Sequence, residues 1–158
     1  RFWQNLEVAY TTALRHINTP FTAGRVTYLF DGQHLWYALP SGRVLCYPFA
    51  KLDAEGVSYL TASWKPAADA TEWPRARLWS GLACENITQA VANDLLRHSL
   101  RGLADVVLHV HDEIVVECTV AEADRVVAEV TRVMTTAPDW AEGLPLAVGV
   151  KTMTRYGK

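Results

Sequence analysis

Two adjacent carboxylates, Asp112 and Glu113, stand between short apolar runs at residues 106–110 and 114–118. Only His111, Asp112 and Glu113 separate the runs. Apolar stretches joined by so short a polar junction read as a β-hairpin. Acids at the tip of a stiff hairpin are held in one place, and a rigid element positions a ligand better than a loop does. Their oxygens suit a hard cation such as Mg²⁺, which prefers oxygen ligands and keeps several of its waters. The plainer alternative is a solvated turn, the usual fate of a polar triplet between strands. His109 and His111 alternate and could face one side. Such a pair can hold zinc, but no further Cys or His pair completes a tetrahedral set, and hydrogen-bonded side chains are the simpler alternative.

The flanking runs look apolar enough to be buried, and the elements around them should fix the hairpin in place. Residues 86–100 read as a helix. Asn86 can cap it, and Gln89 three positions on completes a capping-box pattern. Gly102 is placed to end it. Ala92, Leu96, Leu100 and Leu103 form one stripe, widened by Ile87, Val91 and Leu95. After the hairpin, Thr119 with Glu122 makes a second capping box. The helix that follows carries Ala123, Val126, Val127, Val130 and Met134 on one face, and Pro138 stops it. Residues 144–152 look like a last strand.

Toward the start, Phe2, Leu6, Ala9, Ala13 and Ile17 recur at helical spacing, and Asn18-Thr19-Pro20 breaks the pattern. Residues 25–47 change texture. Asp31-Gly32 and Leu39-Pro40-Ser41-Gly42 are turn signals between β-prone runs, which predicts a three-stranded antiparallel meander. Residues 57–64 could add another strand, and residues 65–74, with two prolines and three alanines, suit an irregular loop. The fold class is α+β, an antiparallel sheet with helices packed on it.

The chain has 158 residues, which suits one domain. It is 50% hydrophobic and 20% charged, ordinary for a globular protein with a core to bury. Six Trp and six Tyr offer large packing areas. The net charge of −2 is not the basic surplus usual in nucleic-acid binders, so basic surfaces would have to lie elsewhere in a larger protein. Cys46, Cys84 and Cys118 are odd in number and far apart, as thiols in a reducing compartment are. No apolar run reaches membrane-spanning length and no signal peptide is visible. The chain opens at Arg1 and runs straight into a helical pattern, as a segment cut from a longer protein would.

Val110-His111-Asp112-Glu113-Ile114-Val115 closely resembles motif C of the family A DNA polymerases, the group of bacterial DNA polymerase I and many phage replicases. Glu85-Asn86-Ile87-Thr88-Gln89-Ala90 and Asp94-Leu95-Leu96 look like the helix that precedes motif C in phage members. Leu39-Pro40-Ser41-Gly42-Arg43 and Tyr156-Gly157-Lys158 also look phage-like, and the helix from Phe2-Trp3 to Ala9 is similar to the segment after the fingers. The resemblance is densest over residues 81–117, and the other blocks occur in the right order.

What the resemblance implies is a part of the polymerase palm, spanning residues 1–158 as a single domain. Asp112 matches the family's second catalytic aspartate, a ligand of the Mg²⁺ pair. Glu113 matches a supporting acid. His111 and Gln89 match residues near the primer terminus, where Gln89 would probe the minor groove, whose acceptors occur on every base pair; Asn86, beside Glu85, is a further DNA-binding candidate. Helix capping is the competing role for Gln89. The implied reaction is nucleotidyl transfer, in which the primer 3′-hydroxyl attacks the α-phosphate of a nucleotide and pyrophosphate leaves. Two metals about 3.5–4 Å apart stabilise the attacking and leaving oxygens, a general scheme for which polymerases are a stock example. The implied partners are primer-template DNA and deoxynucleoside triphosphates, in the cytoplasm of a bacterium or a phage-infected cell.

The chain also departs from the family. No D-x-S-x-x-E string, which carries the first aspartate, occurs here, and neither the fingers helix nor a thumb is recognisable. Asp112 alone cannot hold both ions, so these residues by themselves are expected to be inactive, with open hairpin edges that invite self-association. Relatives often carry Tyr-Gly-Gly-Lys where this chain has Trp79-Ser80-Gly81-Leu82. Bacterial members place Asn four before the Gln; here that position is Glu85. The rival functions are a metal-dependent nuclease or phosphatase using His109, His111, Asp112 and Glu113, which would need a second acid cluster from Asp94, Asp105 or Glu117, and a non-catalytic palm-like DNA-binding domain.

Overall fold

The computed structural model describes residues 1–62, 68 and 71–157. Its contacts divide the chain into two compact units, residues 1–90 and 91–158. Helix α1 (Phe2–Arg15) buries Leu6, Ala9, Tyr10 and Ala13, the three- and four-residue spacing of one helix face. Asn18 then takes a φ of 60° and donates its N–H to the Phe30 carbonyl over 2.7 Å. Asn tolerates this left-handed backbone better than most residues.

Four strands follow, β1 (Phe21–Ala23), β2 (Val26–Phe30), β3 (Leu35–Ala38) and β4 (Val44–Tyr47), antiparallel in that spatial order. The predicted meander is therefore β2–β4, and three-residue β1 is an addition too short to show a period. Helix α1 packs on β1 and β2. The core between them is rich in tyrosine. Tyr10 meets Tyr28 edge-on at 5.8 Å, and Tyr37 stacks on Tyr47 at 5.0 Å.

A second sheet holds β5 (Lys51–Asp53), β6 (Gly56–Leu60) and β7 (Arg75–Leu78), also antiparallel in that order. Strand β6 is the one expected over residues 57–64. Ser63, Trp64 and half of the loop expected over 65–74 lie outside the described residues. Arg77 links the ends of this sheet by ion pairs to Asp53 and Glu55.

Helix α2 (Ser80–Arg101) begins six residues before the predicted start. Asn86 and Gln89 are therefore interior to it and form no capping box. Leu82, Ala83 and Cys84 continue the helix toward the N-terminus, and the exposed Trp79 ring lies so close over Gly81 that a Cβ there would have to displace it. The buried positions include Ala83, Ile87, Asp94, Leu96 and Ser99. Ala92, assigned to the apolar stripe from sequence, is exposed.

In the second unit, β8 (Val106–Val110) and β9 (Glu113–Val116) form the predicted hairpin, with a bulge at Val107. A 3₁₀ turn (Val120–Glu122) leads into α3 (Ala123–Thr135). The Thr119 hydroxyl bonds the Glu122 carboxylate at 2.8 Å rather than a backbone N–H, so the predicted capping box is a side-chain pair ahead of the helix. Val133 of α3 sits against Gly102, where a Cβ would lie 3.1 Å from its methyl group. No strand forms over residues 144–152. Leu146 and Val148 are half-buried between exposed neighbours, so the two-residue period is present. A strand also needs a neighbour to satisfy its backbone, and no described strand runs beside this one. The antiparallel sheets and three α-helices among the described residues make the fold α+β.

Candidate functional site

The hairpin turn is shorter than the sequence suggests. Val110 pairs with Glu113, so only His111 and Asp112 connect the strands and Glu113 opens β9. His111 carries a φ of 54°. The favoured two-residue connections take positive φ at the first central position, where Asn, Asp or Gly is the usual occupant. His111 has left the strand, so it does not continue the alternation with His109.

Asp112 lies exposed at the tip. Among the described residues its carboxylate has neither a hydrogen-bond nor an ion-pair partner, which leaves its oxygens open. Glu113 accepts a long hydrogen bond, 3.4 Å, from the Tyr156 hydroxyl. The terminal block singled out in the sequence thus meets the hairpin beside Asp112. Lys158 lies outside the described residues.

The strands supporting this tip are not buried as their apolar character suggests. Val107 is 58% exposed and Leu108 41%. Among the described residues the pair forms a two-stranded sheet by itself, and such a sheet is marginal without further strands or a packed helix. Sequence reads the apolar content of a strand but not whether a neighbour covers it.

The other candidate residues lie on α2 in the first unit. Gln89 is exposed, and its amide nitrogen donates to the Glu85 carboxylate over 3.1 Å. Capping, the competing role for Gln89, is excluded by its place in mid-helix. Asn86 is half-buried and donates its amide to the Tyr47 hydroxyl at 3.1 Å. Burial pushes the Tyr47 hydroxyl far above its ordinary range, partly offset by the Asn86 bond, so it stays protonated. Arg43 donates to the Ala90 carbonyl at 2.7 Å. Tyr47 and Arg43 were not read as functional from sequence. Arg43 stood in a phage-like block, but its reach across 47 residues has no sequence signal.

No group of three His, Cys, Asp or Glu side chains that could hold a metal ion occurs among the described residues. His109, His111, Asp112 and Glu113 accordingly do not converge into a metal cluster. No described helix is long and apolar enough to cross a membrane.

No family model and no solved structure matches the chain. A DNA polymerase of Bacillus phage SP02 is 33% identical over 153 residues, covering 92% of this chain. The chain spans 23% of that polymerase's length. It is thus similar, over nearly all of its own residues, to part of a phage DNA polymerase.

Proposed function

We propose that residues 1–158 are the C-terminal palm portion of a family A DNA polymerase and take part in template-directed nucleotidyl transfer to a primer 3′-hydroxyl. The observation that carries this reading is the open carboxylate of Asp112 at the tip of a hairpin, in a chain similar to a phage DNA polymerase. An exposed, partnerless carboxylate fits a hard cation, which takes oxygen ligands and keeps water in its other positions. Asp112 is one ligand of an Mg²⁺ pair, and the remaining acid comes from a D-x-S-x-x-E segment elsewhere in the polymerase. When bound, the ions stabilise charge on the attacking and leaving oxygens.

Glu113, braced by Tyr156, supports the position of Asp112. His111 lies at the primer terminus. Gln89 offers its second amide hydrogen to minor-groove acceptors of the nascent pair, and Asn86 serves the same surface by holding the helix. The partners are primer-template DNA, deoxynucleoside triphosphates and the remaining polymerase subdomains, in the cytoplasm. By themselves these residues do not extend a primer, because they carry one of the two aspartates.

A nuclease or phosphatase built on His109, His111, Asp112 and Glu113 needs a convergence that is missing among the described residues. A non-catalytic DNA-binding domain makes a different prediction for Asp112. In the polymerase carrying this segment, Asp112→Asn should abolish primer extension while primer-template binding persists. Extension at the wild-type rate by that variant would overturn the proposal and favour the non-catalytic reading.

A further inference from the structure

Two long-range bonds hold one turn of α2 against the β3–β4 hairpin. Asn86 donates to Tyr47 at 3.1 Å, and the Ala90 carbonyl accepts from Arg43 at 2.7 Å. Residues four apart share a helix face, so both bonds act on one stripe. Gln89 lies between them in sequence, about 60° around the helix from Asn86 at 3.6 residues per turn. Its side chain is itself braced by Glu85. A primary amide has two N–H donors, and the Glu85 bond uses one. The other stays available on a helix whose rotation about its own axis is fixed from the hairpin.

Arg43 is unusual in this role. It is half-buried, and it donates to a neutral backbone carbonyl inside a helix rather than reaching into solvent. That carbonyl has a second lone pair beyond the one used within the helix. A planar guanidinium fixes the direction of such a bond, whereas a lysine ammonium on a flexible stem does not.

We propose that Arg43 is a positioning residue for minor-groove inspection: by gripping the Ala90 carbonyl it sets the rotation of α2 and hence the aim of the Gln89 amide. This rests on the minor-groove role given to Gln89 above. Small misplacements of a positioning group have large kinetic consequences, about a hundredfold for roughly 1 Å. The effect should fall on discrimination between paired and mispaired primer ends, the property Gln89 would sense.

The test uses the polymerase that carries this segment. Extension from matched and mismatched primer termini is measured as kcat/KM for wild type, Gln89→Ala, Arg43→Lys, Arg43→Ala and the Gln89→Ala/Arg43→Ala double variant, with a thermal midpoint for each. Arg43→Lys should lower discrimination on the order of tenfold, and the double variant should be no worse than Gln89→Ala alone. Tyr47→Phe, which releases the Asn86 tether and the hydroxyl contact with Tyr37 but leaves the Arg43 bond in place, should move discrimination the same way by less, and keeps the test open if Arg43→Ala fails to fold. Additive losses in the double variant, or undiminished discrimination in folded Arg43→Lys, overturn the positioning role while leaving Gln89 intact. Unchanged discrimination in Gln89→Ala overturns both, because Arg43 would have nothing to aim.

Discussion

Trp36 donates its indole N–H to the Asp31 carboxylate over 2.7 Å, tying the β2–β3 turn to the strand that leaves it. The other carboxylate oxygen accepts from the backbone N–H groups of His34 at 2.6 Å and Gln33 at 2.8 Å. These donors favour the charged form. The His34 N–H, then the Trp36 indole, then the Gln33 N–H pull the Asp31 carboxyl from its ordinary 3.8 down to about 2. A carboxyl with a lowered pKa in the folded state adds stability that is fully present above its unfolded value. That stability is lost as pH falls through the folded value. The window here runs from about pH 4 down to about pH 2. Asp31 is exposed, so solvent screening holds the contribution to about 1 kcal/mol or less. Asp31→Asn should flatten the stability profile in that window and leave it unchanged at neutral pH apart from a constant offset. Chemical denaturation at several pH values reads this directly, and parallel profiles for the two proteins would contradict it.

The metal-ligand role proposed for Asp112 separates stability from function. The residue is exposed and its carboxylate touches no described partner, so Asp112→Asn should change folding stability by no more than about 0.5 kcal/mol. Loss of a metal ligand removes several kcal/mol of transition-state stabilisation, which at about 1.4 kcal/mol per tenfold is on the order of a thousandfold in rate. Denaturation midpoints and single-turnover extension rates measured on the same preparations should diverge in this way. A large stability loss would show that the carboxylate has a structural duty instead.

The fold was legible wherever a pattern ran long enough to repeat. Helix α1, the β2–β4 meander and α3 carry several apolar residues at their own period, and the hairpin shows as two apolar runs about a short polar junction. Strands β1 and β5 have three residues each, too few to show a period, and β7 alternates polar and apolar residues but over only four positions, Arg-Ala-Arg-Leu. The start of α2 was misplaced because Asn86 and Gln89 fit a capping box on paper. In the folded chain Asn86 finds the Tyr47 hydroxyl, 39 residues away. The unpaired segment at 144–152 fails for the converse reason: its pattern is local, but a strand is a property of two segments. At the candidate site, the place of the tip acids at a hairpin was legible. The short turn, the left-handed backbone at His111 and the anchors Arg43 and Tyr47 depend on contacts that no local pattern encodes.

The hairpin should make the isolated chain self-associate. Neither β8 nor β9 has a further strand beside it among the described residues, and Val107 and Leu108 present apolar surface. Unpaired strand edges with apolar side chains template pairing with another chain, and a lysine on the edge blocks it. Sedimentation of the 158-residue chain should show mass rising with concentration, and Val107→Lys should return it to monomer. A wild-type chain that stays monomeric at every concentration would show that the edge is covered in some other way.

His111 holds a φ of 54°, the only left-handed residue in the hairpin connection. An L-residue with a Cβ is disfavoured there by roughly 1–2 kcal/mol, and glycine is free of that penalty but loses more chain entropy on folding. The two effects partly offset, and His111→Gly should stabilise the hairpin by about 0.5–1 kcal/mol. Strained backbone that persists against such an easy remedy tends to cluster where the side chain has work to do. The proposed place of His111 at the primer terminus supplies that work. The variant should therefore be more stable than wild type yet slower in primer extension, with the loss in kcat/KM for the primer end. Higher stability with undiminished extension would mark His111 as an ordinary turn residue, and the proposed contact with the primer terminus would have to be withdrawn while Asp112 kept its role.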